Sequence, residues 1–136
     1  MELARACVPY TPLRRPLKDC RLALFTTSGA YLTGMAPFNP DNDLSFRLIP
    51  DEAETQHIHF VPGHFDLSWA EQDANCLFPL DRLHELLAAG EIGKIAETHI
   101  SMGLTTELRK LKEQVSWDIA AAVQKTRADV VVLTGG

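Results

Sequence analysis

Two short runs near the ends of this chain constrain its fold more than anything between them. Leu22, Ala23, Leu24 and Phe25 in one run, and Val130, Val131, Val132 and Leu133 in the other, are apolar at successive positions. A half-exposed strand alternates, whereas a strand covered on both faces reads as a continuous apolar run, as in parallel sheets flanked by helices. Ahead of the second run, Leu108, Leu111, Val115, Ile119 and Val123 recur every three or four residues, which predicts a helix over residues 106–127. Strand, long helix, strand is the pattern of a βαβ unit. We expect an α/β fold, specifically a three-layer, Rossmann-like and largely parallel sheet.

The remaining segments are shorter. Residues 1–20 contain Pro9, Pro12 and Pro16, each of which fixes φ and removes a backbone donor, so this stretch is expected to be an extended proline-rich arm. Such an arm lies across a surface or reaches a neighbouring subunit. Residues 21–136 then form a single α/β domain. Residues 31–43, with Gly34, Pro37, Pro40 and four Asn or Asp residues, are expected to form a long loop at the C-terminal end of the first strand. Open α/β sheets place ligands there. Residues 45–49, stopped by Pro50, read as a short or edge strand, and residues 57–60 as another. Leu80, Leu83, Leu86 and Leu87 form one stripe of a helix that Gly90 ends. Asp81 and Arg82 are expected to pair, Phe78 to anchor the helix start, and Trp69 and Trp117 to pack in the interior.

Composition narrows the function. Thirteen basic and eighteen acidic side chains give a net charge of −5, which argues against a nucleic-acid scaffold with a basic stripe. No window approaches the ~18 consecutive apolar residues of a membrane span. The N-terminus has no signal-type apolar core, so a cytoplasmic protein is expected. The three cysteines Cys7, Cys20 and Cys76 have neither CxxC spacing nor an even count, and are expected to be reduced and structural.

Two constellations carry candidate chemistry. His57, His59, His64 and Asp66 are the ligand types of a zinc or non-haem iron centre, although no fixed metal motif is present. If they bind no metal, His64 with Asp66 is the natural acid–base pair, since an imidazole titrates near neutrality. Thr26, Thr27, Ser28 and Gly29 form a small-residue turn after a buried strand, whose hydroxyls and amides could meet a substrate carboxylate. His99 and Cys76 would join a site only if the fold brought them close. The run at 129–133 leads directly into Thr134, Gly135 and Gly136, where an α/β sheet would normally begin a turn into another helix. Either the sheet ends differently or the chain is truncated at its C-terminal end.

Several segments, in order, resemble the glycine/sarcosine/betaine reductase component B (selenoprotein B) family, which includes a component of D-proline reductase. They are Tyr10-Thr11-Pro12-Leu13, the stretch from Cys20 through Thr26-Thr27-Ser28-Gly29, and Gly34 with Pro37-Phe38. Phe46-Arg47, Ile49-Pro50, His64-Phe65-Asp66, Phe78-Pro79-Leu80-Asp81-Arg82-Leu83 and the stretch from Ala128 to Thr134 continue it. The resemblance implies a reductase component in which a selenocysteine or cysteine at a strand-to-helix turn cleaves a C–N bond reductively. The chemistry is that of a low-pKa chalcogenide ionised by amides and a helix dipole. It also implies a small amine or amino-acid-like substrate, partner reductase subunits and a homo-oligomer. Cys7, Cys20 and Cys76 do not match the redox position. That residue is expected at or just after position 137, where a UGA selenocysteine codon read as a stop would end the frame. A metal-dependent hydrolase or lyase built on the histidines, and a non-catalytic binding subunit docking through its arm, are the alternatives.

Overall fold

The computed structural model describes residues 11–62 and 66–135; Cys7, Pro9, His64 and Gly136 lie outside them. Seven strands and three helices follow in order. They are β1 (Arg21–Thr26), β2 (Ala30–Leu32), β3 (Phe46–Pro50), β4 (Ile58–Phe60), α1 (Ser68–Gln72), α2 (Leu80–Ala88), β5 (Lys94–Ile95) and β6 (Thr98–Met102), then α3 and β7 (Val130–Thr134). Helix α3 has an α-turn at Leu108–Lys110, a π-turn at Leu111–Val115 and a regular α-helix at Ser116–Lys125. Residues 11–16 are exposed and carry no regular structure, and a single 3₁₀ turn at Leu17–Asp19 leads into β1.

The expected largely parallel α/β sheet is present. β1 pairs in parallel with β5, β6 and β7, and β3 adds an antiparallel edge against β6. β7 runs beside β1 from Leu22 to Thr26, so β5 and β6 share the other side of β1 in succession, β5 at Arg21–Leu22 and β6 at Phe25–Thr26. The βαβ unit is therefore β6–α3–β7, crossing over β1. Its first strand is one that hydropathy did not reveal. The expected loop at 31–43 is also shorter, because Tyr31 and Leu32 belong to β2, which pairs antiparallel with β4.

Register sorts the side chains onto two faces, since paired residues of adjacent strands point the same way. Leu24, Val132, His99 and Ile49 share one face; Phe25, Leu133, Ile100 and Leu48 share the other. The first face carries the core. Leu22, Leu24 and Ile49 pack there with Ile58 and Phe60 of β4, Phe78, and Leu80 and Leu83 of α2. Burying Phe78 fully is worth roughly 2–3 kcal/mol in transfer free energy. The second face receives α3, whose Ala122 is buried while Ile119 and Val123 are half-covered.

Several sequence expectations are corrected here. Trp69 and Trp117 are 70% and 75% exposed, so neither is an interior packing residue. Asp81 does not pair with Arg82. Its carboxylate accepts from the Thr55 hydroxyl at 2.9 Å and the Asn75 amide at 2.8 Å, while Arg82 pairs with Glu85 at 3.0 Å. β7 is a half-covered edge strand with Leu133 73% exposed, because among the described residues no strand pairs with its outer edge. Arg127, which follows α3, has φ +53 and is the one described non-glycine residue with positive φ. That conformation costs an L-residue about 1 kcal/mol.

Gly93 is a close-approach glycine between α2 and β5. A Cβ there would lie 2.8 Å from the Lys18 carbonyl oxygen and 3.0 Å from that of Cys20, both backbone atoms. Its own N–H donates to Leu17 O and Cys20 O at 3.2 and 3.0 Å, tying the entry of β1 to β5. Gly93→Ala should therefore lower the unfolding free energy by about 1–3 kcal/mol, as overpacking against backbone does. A lower urea midpoint at unchanged m-value is the expected reading.

Candidate functional site

The strands of a parallel sheet all end at one edge, and here that edge carries the turn at residues 26–29. Thr26 and Ser28 are buried, and their hydroxyls bond one another at 2.8 Å. The Ser28 N–H donates to Thr26 Oγ1 at 3.2 Å, the Thr27 N–H to Thr134 O at 3.1 Å, and the Gly29 N–H to Met102 O at 3.0 Å. All three amides are thus engaged inside the fold, and they lock the end of β1 to β6 and β7. Gly29 has φ +67, the left-handed region that favours glycine, and the nearest atom a side chain there would meet is Val61 Cβ at 3.4 Å, an ordinary contact. Of the four residues, Thr27 alone presents its side chain to solvent.

Leu77, just before α2, clamps the same edge. Its carbonyl accepts from Thr26 Oγ1 at 3.3 Å and from Thr134 Oγ1 at 2.7 Å, so one oxygen holds the ends of β1 and β7 together. Phe78, next in sequence, is fully buried and meets the His99 ring edge-on with centroids 5.9 Å apart. This accounts physically for the stretch Phe78 to Leu83: a carbonyl clamp, an aromatic anchor and a helix start whose Asp81 N–H is capped by Asn75 Oδ1 at 3.0 Å. Ser101 lies between Thr26 and Arg47 in register, and its hydroxyl is buried without a partner among the described residues.

Of the histidines proposed from sequence, His57 and His59 do not converge, and His64 lies outside the described residues. β4 turns Ile58 and Phe60 inward, leaving His59 outside, where Nε2 meets the Thr33 hydroxyl at 2.8 Å and the ring tilts against Tyr31 at 5.6 Å. His57 closes the preceding 3₁₀ turn and lies 3.8 Å from Glu54. Asp66 accepts from the Ser68 N–H at 2.9 Å. That bond and one to the Ser68 hydroxyl hold its carboxyl below the usual carboxylate range. Among the described residues no three His, Cys, Asp or Glu side chains converge to hold a metal. Cys20 is buried with Sγ 3.4 Å from Pro16 O, and Cys76 is exposed.

His99 is the residue that sequence reading left unassigned and the structure makes central. Fully buried, it accepts the Leu24 N–H on Nδ1 at 3.0 Å, while Nε2 faces Asp51 Oδ1 at 3.2 Å. A backbone amide can only donate, so Nδ1 is unprotonated and the proton sits on Nε2 toward Asp51. The second contact of Asp51 Oδ1 is His84 Nε2 at 3.1 Å. Burial pushes the His99 pKa below its ordinary value, and the Asp51 hydrogen bond offsets this only in part.

The geometry defines a mixed α/β domain whose parallel strands are drawn together at one polar edge by hydroxyls and a shared carbonyl. The chain belongs to the glycine/sarcosine/betaine reductase selenoprotein B family, whose model matches residues 6–136. It is 33% identical to the D-proline reductase subunit gamma of Acetoanaerobium sticklandii, over 93% of this chain and 53% of that protein. It is 30% identical to the glycine reductase complex component B subunit gamma of Carboxydothermus hydrogenoformans, over 93% of this chain and 30% of that protein. The chain thus spans about half the length of one relative and under a third of the other. No solved structure matches it. Among the described residues no helix is long and apolar enough to cross a membrane.

The His99 geometry has a signed consequence for stability. The folded pKa lies below the ordinary 6.5, so the unfolded chain binds more protons just below that pH. The stability contributed by neutral His99 is present above about pH 6.5 and is lost as pH falls through the depressed folded value. Urea midpoints should fall between pH 7 and pH 5. The variant His99→Gln, which offers Leu24 an oxygen but does not titrate, should flatten that slope. His99→Ala should cost about 2–4 kcal/mol at pH 7, through a cavity and an orphaned amide.

Proposed function

We propose that this chain is a reductase component that cleaves the C–N bond of a small amine or amino-acid-like substrate at the polar strand edge. Family membership and the names of its relatives support the reaction class. The observation that carries the placement is the parallel pairing of β1 with β7, which sets Thr27 beside Thr134 and Gly135. A selenocysteine or cysteine following β7 would supply the two-electron nucleophilic chemistry. The residues present fit such a group. Thr134 is pinned to Leu77, so the end of β7 has a fixed position, and the exposed Thr27 hydroxyl stands at the same edge.

The roles of the chain's own side chains divide by burial. Thr26, Ser28 and Gly29 hold the turn, and Thr27 is the group free to donate to a substrate carboxylate. His64, whose side-chain type titrates near neutrality, is the general acid–base candidate. Asp66, kept ionised by Ser68, supplies charge rather than a proton. In this reading the domain is one part of a three-layer, Rossmann-like sheet. It works in the cytoplasm with partner reductase subunits and a second copy of itself.

Thr27→Val and Thr26→Val separate these roles in the complete native reductase. Thr27→Val should lower kcat/KM for D-proline or glycine about tenfold, the worth of one hydrogen bond to a charged group, at unchanged Tm. Thr26→Val should lower Tm instead, because it removes the bonds to Ser28 and Leu77. Full activity in Thr27→Val, or no turnover of either amino acid by the wild-type complex, overturns the proposal.

A further inference from the structure

The sheet edge opposite the turn carries a different chemistry. A cavity of about 330 Å³ is lined by Arg21, Glu97, Thr98, Lys125, Thr126 and Arg127. A second, of about 270 Å³, shares Arg21 and Arg127 and adds Arg15, Asp19, Lys94 and Asp129. The two concavities therefore adjoin across a pair of arginines, at the N-terminal ends of β1, β5 and β6 and at the C-terminal end of α3.

Charge there is unbalanced. Asp129 is spent internally, through Arg15 at 3.1 Å and the Arg21 N–H at 2.8 Å. Arg21, Lys94, Lys125 and Arg127 form no ion pair among the described residues, and besides the already paired Asp129 the lining carboxylates are Asp19 and Glu97. This cationic excess sits on a chain whose net charge is −5. Arg127 strengthens the point. It occupies the left-handed position after a helix, where glycine is the common residue, so the backbone gains nothing from an arginine there. A side chain kept at a conformational cost implies a use for the side chain.

We propose that this surface docks an acidic segment of a partner protein, seating two of its carboxylates in the adjoining cavities on either side of Arg21 and Arg127. Paired concavities favour a row of anionic side chains over a lone ion. The position leaves the turn at residues 26–29 open, since the two lie at opposite ends of β1. Complementary charge at such a rim governs encounter and orientation, and therefore responds to salt.

The test uses the full chain and a fluorescein-labelled deca-glutamate peptide read by anisotropy, with deca-glutamine as the uncharged control. Saturable, salt-sensitive binding of deca-glutamate alone is expected. Arg21→Gln and Arg127→Gly should each weaken it about threefold, the range of exposed charge pairs, and together about tenfold. Arg127→Gly should meanwhile raise Tm or leave it unchanged, because it relieves the left-handed backbone. Absence of binding at low salt, or binding that neither variant weakens, overturns the proposal. So does complete displacement of the peptide by millimolar inorganic phosphate, which would mark a small-anion site instead.

Discussion

A single hydrogen bond from the Leu24 amide to the His99 ring lets the sheet exist in its observed form. β1 has one neighbour from Leu22 to Thr26 on the β7 side, but two on the other side, β5 and then β6. Where one hands over to the other, around residues 96–98, the ladder is interrupted and the Leu24 N–H faces no carbonyl. An orphaned amide at the centre of a core costs about as much as a lost hydrogen bond. The imidazole of His99 takes the carbonyl's place, and Asp51 takes the remaining ring proton. Phe78 packs on the ring edge-on, so the same histidine is also part of the apolar interior.

This substitution of a side chain for a backbone acceptor explains why β6 was hard to see in the sequence. In Thr98-His99-Ile100-Ser101-Met102 the apolar residues alternate with polar ones, the pattern of a surface strand. Both sets are buried instead, because α3 covers Ile100 while His99 finds polar partners inside the core. Periodicity measures hydrophobicity and cannot register an internally satisfied imidazole. The apolar runs of β1 and β7, the helices α2 and α3 and the short strands β3 and β4 were legible from hydrophobic pattern, although Leu86, Leu87 and Leu108 of the predicted stripes are exposed. β7 was over-read for the complementary reason. An apolar run reports what a strand is suited to bury, whereas its actual cover depends on neighbours.

The candidate site divides along similar lines. Thr26-Thr27-Ser28-Gly29 is a turn at the C-terminal end of β1, as its residue types suggested, and composition alone could not say which hydroxyls face outward. The structure assigns two of them to an internal pair and one to the surface. The clamp on Leu77 was beyond sequence reading altogether, because it joins residues 26, 77 and 134 through a backbone carbonyl that any amino acid would supply. His57 and His59 illustrate the reverse error. Two residues apart they share a face only if both lie on the strand, and the 3₁₀ turn at Thr55–His57 ends before β4 begins.

These constraints make the two ends of β1 physically unlike. At its C-terminal end the amides of residues 27–29 and the hydroxyls of Thr26, Ser28 and Thr134 are consumed in bonds among β1, β6, β7 and Leu77, which fixes the strand tips against one another. Rigidity of that kind suits a place where a reacting group must be held, since small displacements of a nucleophile cost large factors in rate. At its N-terminal end Arg21, Lys94, Lys125 and Arg127 form no ion pair among the described residues, on side chains long enough to adapt to whatever they meet. Exposed charges contribute little to folding, and an arginine in the left-handed region detracts from it. The fold therefore concentrates its bonding at one end of β1 and leaves charge uncommitted at the other, the division that the proposed reaction edge and the proposed docking surface would each require.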